Sequence, residues 1–212
     1  TLTNSIVSNN TATHFGGGIY HETGTLTLTN SDASGNTSEK GGGIYNRGTL
    51  TITYSAISGN SAEVGGGVSN EGGTLSLINS TVSGNTPTVS GGGIFNNGTF
   101  NLINSTVSGN SATERGGGIY HYGGIGYLTS STISDNSANY GGGIYNSVTL
   151  VLRNTIVAMN PLGGDCSGYN VASLGANLAS DGTCSLTEET DLPNTNPMLG
   201  PLQDNGGPTT TH

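Results

Sequence analysis

Few side chains in this 212-residue sequence have the types and spacing that catalysis requires. The chain carries 13 acidic residues against 4 Lys and Arg, a formal net charge of -9. Glycoside hydrolysis uses paired carboxylates, but Glu39, Glu63 and Glu114 recur singly, each just before a Gly-Gly-Gly tripeptide. Lys40 and Arg115 lie beside two of them, which is typical of solvated loops with surface ion pairs. The sequence therefore predicts no catalytic residue, and we do not expect an enzyme.

Metal ions and nucleic acids also fit the polar residues poorly. His14, His21 and His121 are too far apart in register to share a metal ion. A calcium-binding nonapeptide repeat needs Asp after its glycines, where this sequence has Ile or Val. The Lys and Arg residues form no cluster that could neutralise phosphates, and no apolar run approaches the ~20 residues of a membrane span. We predict no metal, no cofactor, no nucleic-acid partner and no membrane span in this chain.

A stripe of aromatic residues is the strongest candidate for a contact surface. Each ring comes one residue after the aliphatic residue that follows Gly-Gly-Gly, and Ser69 replaces the ring in the third repeat. The aromatic stripe consists of Tyr20, Tyr45, Phe95, Tyr120 and Tyr145. Because the third repeat has the pair Val68-Ser69, we expect the first position to be buried and the stripe to face solvent. The stripe is either a self-stabilising ladder of rings or a contact surface for a sugar chain or another copy of the protein.

An internal repeat must position these side chains. Gly-Gly-Gly followed by an aliphatic residue recurs every 24 to 26 residues, beginning at Gly16, Gly41, Gly65, Gly91, Gly116 and Gly141. Between the glycines apolar and polar residues alternate, as in residues 25–29 (Thr-Leu-Thr-Leu-Thr), which is the pattern of a β-strand. A propeller blade needs ~40 residues, and the Leu/Asn spacing of leucine-rich repeats is absent. About three short strands per repeat instead predict one coil of a parallel β-helix.

The predicted fold is all-β. We expect a right-handed parallel β-helix of about six to seven coils, with ~25 residues per coil, over residues 1–160, and an irregular C-terminal cap over residues 161–212. Right-handedness follows the rule for parallel crossovers. A second marker, Ser-Gly-Asn or a variant, keeps the same step, and its amides are predicted to hydrogen-bond from coil to coil. This Asn ladder consists of Asn10, Asn36, Asn60, Asn85, Asn110 and Asn136.

Cys166 and Cys184 are the only cysteines and lie outside the Gly-Gly-Gly repeats. A redox or metal pair is disfavoured because Cys-x2-Cys spacing is absent and no His lies nearby. We predict a structural disulfide that ties the cap and contributes ~3 kcal/mol if the chain-entropy model holds. A disulfide agrees with an extracellular location.

The unit at residues 104–120 (Asn-Ser-Thr-Val-Ser-Gly-Asn-Ser-Ala-x-x-x-Gly-Gly-Gly-Ile-Tyr) resembles right-handed parallel β-helix repeats of bacterial surface proteins. It is also similar to the repeats of polymorphic outer-membrane proteins. Gly replaces Ala in their Gly-Gly-Ala-Ile-like element, and Ser or Thr replaces Phe in their aromatic-x-x-Asn element. The tail resembles bacterial choice-of-anchor proteins, which are tethered at the cell surface, in the segments 163–168, 173–178, 180–184 and 200–212. These resemblances imply the fold and an extracellular or cell-surface location, but no reaction.

The predicted function is that of a non-catalytic, extracellular structural or adhesive protein, with end-to-end self-assembly into a surface filament as a variant. The expected partner is another copy of the chain or a cell-surface glycan. Two alternatives remain: a polysaccharide-binding or polysaccharide-degrading module, and an ice-binding protein that uses Thr columns such as Thr25, Thr49 and Thr74. Thr1 aligns with Thr27 in the middle of a coil, without an initiator Met or signal peptide before it. We therefore expect a processed chain or part of a longer one.

Overall fold

The computed structural model describes residues 1–86 and 89–212. In these residues the regular structure consists of short β-strands, and no helix is long and apolar enough to cross a membrane. The strands in chain order are β1 (Leu2–Thr3), β2 (Ile6–Ser8), β3 (Ile19–His21), β4 (Thr25–Thr29), β5 (Asp32–Ser34), β6 (Ile44–Asn46), β7 (Thr49–Thr53), β8 (Ala56–Ser58), β9 (Val68–Ile78), β10 (Thr81–Ser83), β11 (Ile94–Ile103), β12 (Thr106–Ser108), β13 (Ile119–Gly123), β14 (Ile125–Thr129), β15 (Thr132–Ser134), β16 (Ile144–Asn146), β17 (Thr149–Arg153), β18 (Ile156–Ala158), β19 (Cys166–Gly168), β20 (Ala172–Ser173) and β21 (Leu178–Ala179).

The strands stack into two parallel sheets. The larger sheet contains 13 of the described strands, and the smaller contains 8, in the order β2-β5-β8-β10-β12-β15-β18-β21. Like positions of successive repeats pair directly, so that Leu50 lies opposite both Leu26 and Leu75. The protein is thus a parallel β-solenoid of about seven turns whose like residues lie about 25 positions apart, and the predicted fold class is confirmed.

Aliphatic columns form the core between the two sheets. Leu50 and Leu75 of the larger sheet and Ile57 and Val82 of the smaller sheet are all fully buried. Alternation along each strand turns every second side chain inward. Because a fully buried aliphatic side chain contributes about 1.5–3 kcal/mol, regular stacking allows a chain with only 31% hydrophobic residues to hold a continuous core.

The Gly-Gly-Gly tripeptide is explained by the backbone at one corner of each coil. Gly41 has φ +65°, and a Cβ there would lie 2.5 Å from the Ile44 carbonyl oxygen. At the next position, a Cβ on Gly42 would lie 2.4 Å from the Ser61 carbonyl oxygen of the following coil. The first glycine is therefore required by its left-handed backbone and the second by the close approach of two coils.

The parallel sheets continue past residue 160, where the sequence analysis placed the start of the cap. β19, β20 and β21 pair with β16, β17 and β18 and add one more turn. In this turn Cys166 takes the position of Ile144, and Ala179 that of Val157. The Gly-Gly-Gly marker is missing from this turn, so the sequence pattern did not reveal it.

The predicted disulfide is confirmed. It joins Cys166, in β19, to Cys184, and both cysteines are buried. The bond ties the last turn to the segment that follows β21. Beyond it, the chain returns to the smaller sheet, where the Thr81 hydroxyl donates a hydrogen bond of 2.7 Å to the Thr210 carbonyl oxygen.

Candidate functional site

The aromatic stripe lies on the outer side of β3, β6, β11, β13 and β16, but it is largely covered. Tyr45, Phe95 and Tyr120 are only 7%, 9% and 7% exposed. Tyr20 is 51% exposed and Tyr145 is half-buried. The prediction that the stripe faces solvent along its length is therefore wrong for its middle part.

Side chains on both flanks of the stripe cause this burial. On one flank the residue before Gly-Gly-Gly leans over a ring: Phe15 packs 4.7 Å from Tyr45, and the Arg115 guanidinium lies 5.4 Å from the centre of the Tyr145 ring. On the other flank Tyr122 stacks on Phe95 at 6.0 Å. Sequence periodicity gave the outward direction of the rings correctly, but it could not show that neighbouring columns fold over them.

Ser69 divides the rings into two groups. Tyr20 and Tyr45 stack at 5.5 Å before it, whereas Phe95, Tyr120 and Tyr145 make edge-on contacts of 5.4 and 5.2 Å after it. Such pairs contribute about 0.5–1.5 kcal/mol each beyond the area they bury. The stripe thus acts as a stabilising ladder at its centre, and its accessible rings lie towards its ends.

An ion pair joins the coil of Ser69 to the preceding coil. Lys40 on one flank and Glu71 on the other are 3.5 Å apart. Ser69, two residues before Glu71 on the same strand, is fully buried, and its hydroxyl has no hydrogen-bond partner among residues 1–86 and 89–212. The expectation that Ser69 marks an exposed position is therefore also wrong.

The predicted Asn ladder lies at the corner after each strand of the smaller sheet. From Asn36 onwards, each Oδ1 accepts from both the backbone N–H and the Nδ2 of the preceding Asn, and the side-chain contacts measure 2.9–3.3 Å. The Nδ2 also donates to a strand carbonyl of the preceding coil, as from Asn85 to Ile57. Asn160 extends the ladder by one coil, which the sequence analysis missed because no Gly precedes it. All of these amides serve structural contacts.

A second ladder, the inner ladder, runs inside the larger sheet and contains two of the three histidines that the sequence analysis weighed as metal ligands. His21, Asn46, Asn70, Asn96 and His121 follow one another at 2.7–3.0 Å. Because Asn96 donates to Nδ1 of His121, the proton is assigned to Nε2, which donates to the Thr149 carbonyl oxygen at 3.0 Å. Burial lowers the pKa of the His121 imidazole.

The corner ladder ends on a buried carboxylate. Asp165 accepts from the Asn160 amide through Oδ1, and its Oδ2 accepts from Ser180 and from the backbone N–H of Asp181. Burial raises the pKa of Asp165, and the hydrogen bonds from Asn160 and Ser180 oppose that rise. This carboxylate is fully buried, so it acts as a terminal acceptor that replaces the next Asn.

A Ser–His contact that sequence analysis missed lies under the tail. Nε2 of His212 is 2.8 Å from the hydroxyls of both Ser108 and Ser134, and Nδ1 is 2.7 Å from the Gly200 carbonyl oxygen. Such distances suit a nucleophile and its base. Here, however, both serines are buried and the ring is 1% exposed, so substrate has no path to either hydroxyl. The sequence carried no signal for this contact, which joins residues 104 and 78 positions apart.

The remaining candidate acids do not converge. Glu39 pairs with His14 at 3.1 Å, whereas Glu63 and Glu114 are exposed in other coils. Across residues 1–86 and 89–212, no group of three His, Cys, Asp or Glu side chains could hold a metal ion. The Thr column considered for ice binding is interrupted, because Ile125 lies opposite Thr149.

Three segments of the chain match the Chlamydia polymorphic membrane protein repeat, at residues 4–22, 104–122 and 130–147. Each match begins at a left-handed corner residue, Asn4, Asn104 or Ser130, and ends just beyond the aromatic stripe. Comparisons with curated proteins and with solved structures gave no match. The repeat match covers about a quarter of the chain and none of the tail, so the choice-of-anchor resemblance stays a prediction. The chain is therefore similar, in three of its coils, to the repeat of Chlamydia polymorphic membrane proteins.

Proposed function

We propose that this protein is a non-catalytic β-solenoid displayed outside the cell, with a structural or adhesive role. The repeat match supports the location. The hydrogen bonds of its polar side chains support the role. In the corner ladder and the inner ladder, the amides and imidazoles of successive coils bond to one another. Groups held in this way stabilise a rigid rod and are not free to move protons.

Adhesion can be measured with coated beads. Beads carrying the purified protein are expected to attach to cultured animal cells or to bacterial cells more strongly than albumin-coated beads do. Attachment at the albumin level on every surface would contradict the adhesive role. Release of reducing ends from neutral or acidic polysaccharides by the purified protein would contradict the non-catalytic assignment.

Filament formation is the structural variant of this proposal. Its support is the parallel pairing of successive coils in both sheets, since an unpaired edge of such a sheet can pair with a further strand. Electron microscopy of concentrated protein is expected to show fibres with an axial repeat near one subunit length. A single monomeric species in sedimentation at the same concentration would contradict the variant.

Polysaccharide binding is a second candidate function, favoured by exposed rings in the C-terminal half. Tyr122, Tyr140 and Tyr169 are 52%, 58% and 70% exposed. Exposed aromatic side chains offer an apolar face with a polar tip, which suits the C–H face and hydroxyl rim of a sugar. The rigid sheets would hold such rings at fixed spacing.

A further inference from the structure

Two serines lie in register with the aromatic stripe, and their surroundings differ. Ser69 follows Tyr45 in register, and Ser167 follows Tyr145. Ser69 is fully buried and lies two residues before Glu71, which pairs with Lys40. Ser167 remains partly exposed. Within residues 1–86 and 89–212, the contacts of the Tyr145 ring are with Tyr120 and Arg115.

A recess of about 380 Å³ lies next to Ser167, between its register partner Tyr145 and the two residues that follow it in the chain. Its lining consists of Tyr145, Asn146, Ser147, Gly168 and Tyr169. Ligand pockets span roughly 300–1,000 Å³, so the recess suits a small unit rather than a long chain. Two tyrosines and a serine hydroxyl give it both apolar surface and hydrogen-bonding groups.

Hydrogen bonds between Asn146 and Tyr169 fix the walls of the recess. The Tyr169 backbone N–H donates to the Asn146 carbonyl oxygen at 2.7 Å, and Nδ2 of the buried Asn146 donates to the Tyr169 carbonyl oxygen at 3.1 Å. Gly168 permits this approach with φ +90°, because a Cβ there would lie 2.1 Å from the Asn146 oxygen. The Tyr169 side chain is therefore held at the rim by its backbone while its ring stays 70% exposed.

The charges around the recess favour a neutral ligand. None of its five lining residues is charged. The Arg115 guanidinium already lies over the Tyr145 ring, so a cationic ligand would meet a like charge at its best cation–π position. The net charge of -9 disfavours an anionic polymer.

We propose that this recess binds one unit of a neutral polysaccharide, with a sugar face on Tyr145 or Tyr169 and sugar hydroxyls bonded to Ser147. This inference rests on the proposed polysaccharide-binding function and assigns it a place. It does not depend on filament formation.

The test measures binding of neutral hexasaccharides of glucose, mannose and galactose to the intact chain by calorimetry, with oligogalacturonate and choline as charged probes. At least one neutral probe is expected to bind saturably. Tyr169→Ala is expected to weaken that binding at least tenfold. Ser167→Tyr is also expected to weaken it, because a ring at residue 167 would lie against the Tyr145 ring, its register partner. The stripe already accepts Tyr at other coils, so Ser167→Tyr is compatible with the fold, and the melting temperature of each variant checks this. Tyr127→Ala, which removes an exposed ring outside the recess, is the matched control and is expected to leave binding unchanged.

Failure of every neutral probe, a preference for a charged probe, or equal binding by the Ser167→Tyr variant would overturn the assignment. Beads coated with wild-type protein and with the Ser167→Tyr variant separate this failure from that of the adhesive role. If no neutral probe binds while both kinds of bead attach equally, the sugar site is wrong and adhesion stands. If neither attaches although the wild type binds sugar, the adhesive role is wrong and the recess stands.

Discussion

The coils up to residue 160 and the segment after it provide partners for buried polar groups in opposite ways. In the coils each Asn is bonded by copies of itself, as Asn85 is by Asn60 and Asn110. After residue 160 each contact occurs once. The carboxylate of Asp165 accepts from Asn160, a disulfide joins Cys166 to Cys184, and the buried imidazole of His212 contacts Ser108. A contact that recurs in every coil is visible in the sequence as a period, whereas a contact that occurs once leaves no pattern in the sequence.

Removal of one ladder amide should have the largest effect on stability. Asn85→Ala deprives the Asn60 backbone N–H and Nδ2 of their shared acceptor, in a fully buried place. Because each unsatisfied buried group costs about 1–3 kcal/mol, we expect a loss of roughly 3 kcal/mol or more. Urea unfolding followed by circular dichroism measures it, and Thr49→Ala, at an exposed strand position, is the control. A loss as small as that of the control would show that the ladder contributes little.

Removal of the disulfide should have the second-largest effect on stability. The double variant Cys166→Ser, Cys184→Ser opens a loop with a sequence separation of 18 residues, for which the chain-entropy model gives about 3 kcal/mol. Wild-type protein in reducing agent should unfold like this variant. If the two differ, a contribution other than the cross-link must be present.

Asp165→Asn tests the unique end of the ladder. The Oδ1 of the new amide can still accept the hydrogen bond from Asn160. Its Nδ2 would then face the N–H groups of Ser180 and Asp181, which are also donors. We expect a loss of about 1–3 kcal/mol that is confined to the last turn. Hydrogen exchange should show faster opening of residues 165–181 with unchanged protection near Asn85. Unchanged exchange at residues 165–181 would refute this role.

The fourth prediction concerns pH and the inner ladder. Burial holds the pKa of His121 below its ordinary value, so His121 contributes stability above the ordinary pKa of about 6.5 that is lost as pH falls through the lowered value. Its partners Asn96, Thr149 and the adjacent Gly126 do not titrate. His121→Asn, the residue found at this position in most other coils, should flatten the fall in stability below pH 6.5. Identical slopes for variant and wild type would contradict the assignment.

His212→Ala should have the smallest effect on overall stability. It removes the contacts to Ser108, Ser134 and Gly200 that hold the tail on the smaller sheet. Limited proteolysis should cut the variant faster within residues 200–211, while the coils resist as before. Equal cleavage of both proteins would show that Thr210 and its neighbours hold the tail without the imidazole.

The coils could be predicted from the sequence because their residues repeat. Contacts between side chains of different columns could not be predicted in this way. The rings of the stripe were found, but not the Phe15 and Arg115 side chains that cover them. Gly126 interrupts a leucine column without explanation in the sequence. In the structure a Cβ at residue 126 would lie 2.6 Å from Leu150 Cδ1 and 3.2 Å from His121 Nε2. The glycine therefore leaves room for the His121 imidazole, which is larger than the Asn side chain found at this position in other coils.

The sequence by itself determined the parallel stacking, the inward columns and the corner ladder, because each depends on a residue meeting its own copy one coil away. The tertiary structure alone decided which rings stay open to solvent, where the last turn lies and what the tail rests on. Those outcomes depend on side chains from different columns and distant segments meeting in space, and no period in the chain records such meetings.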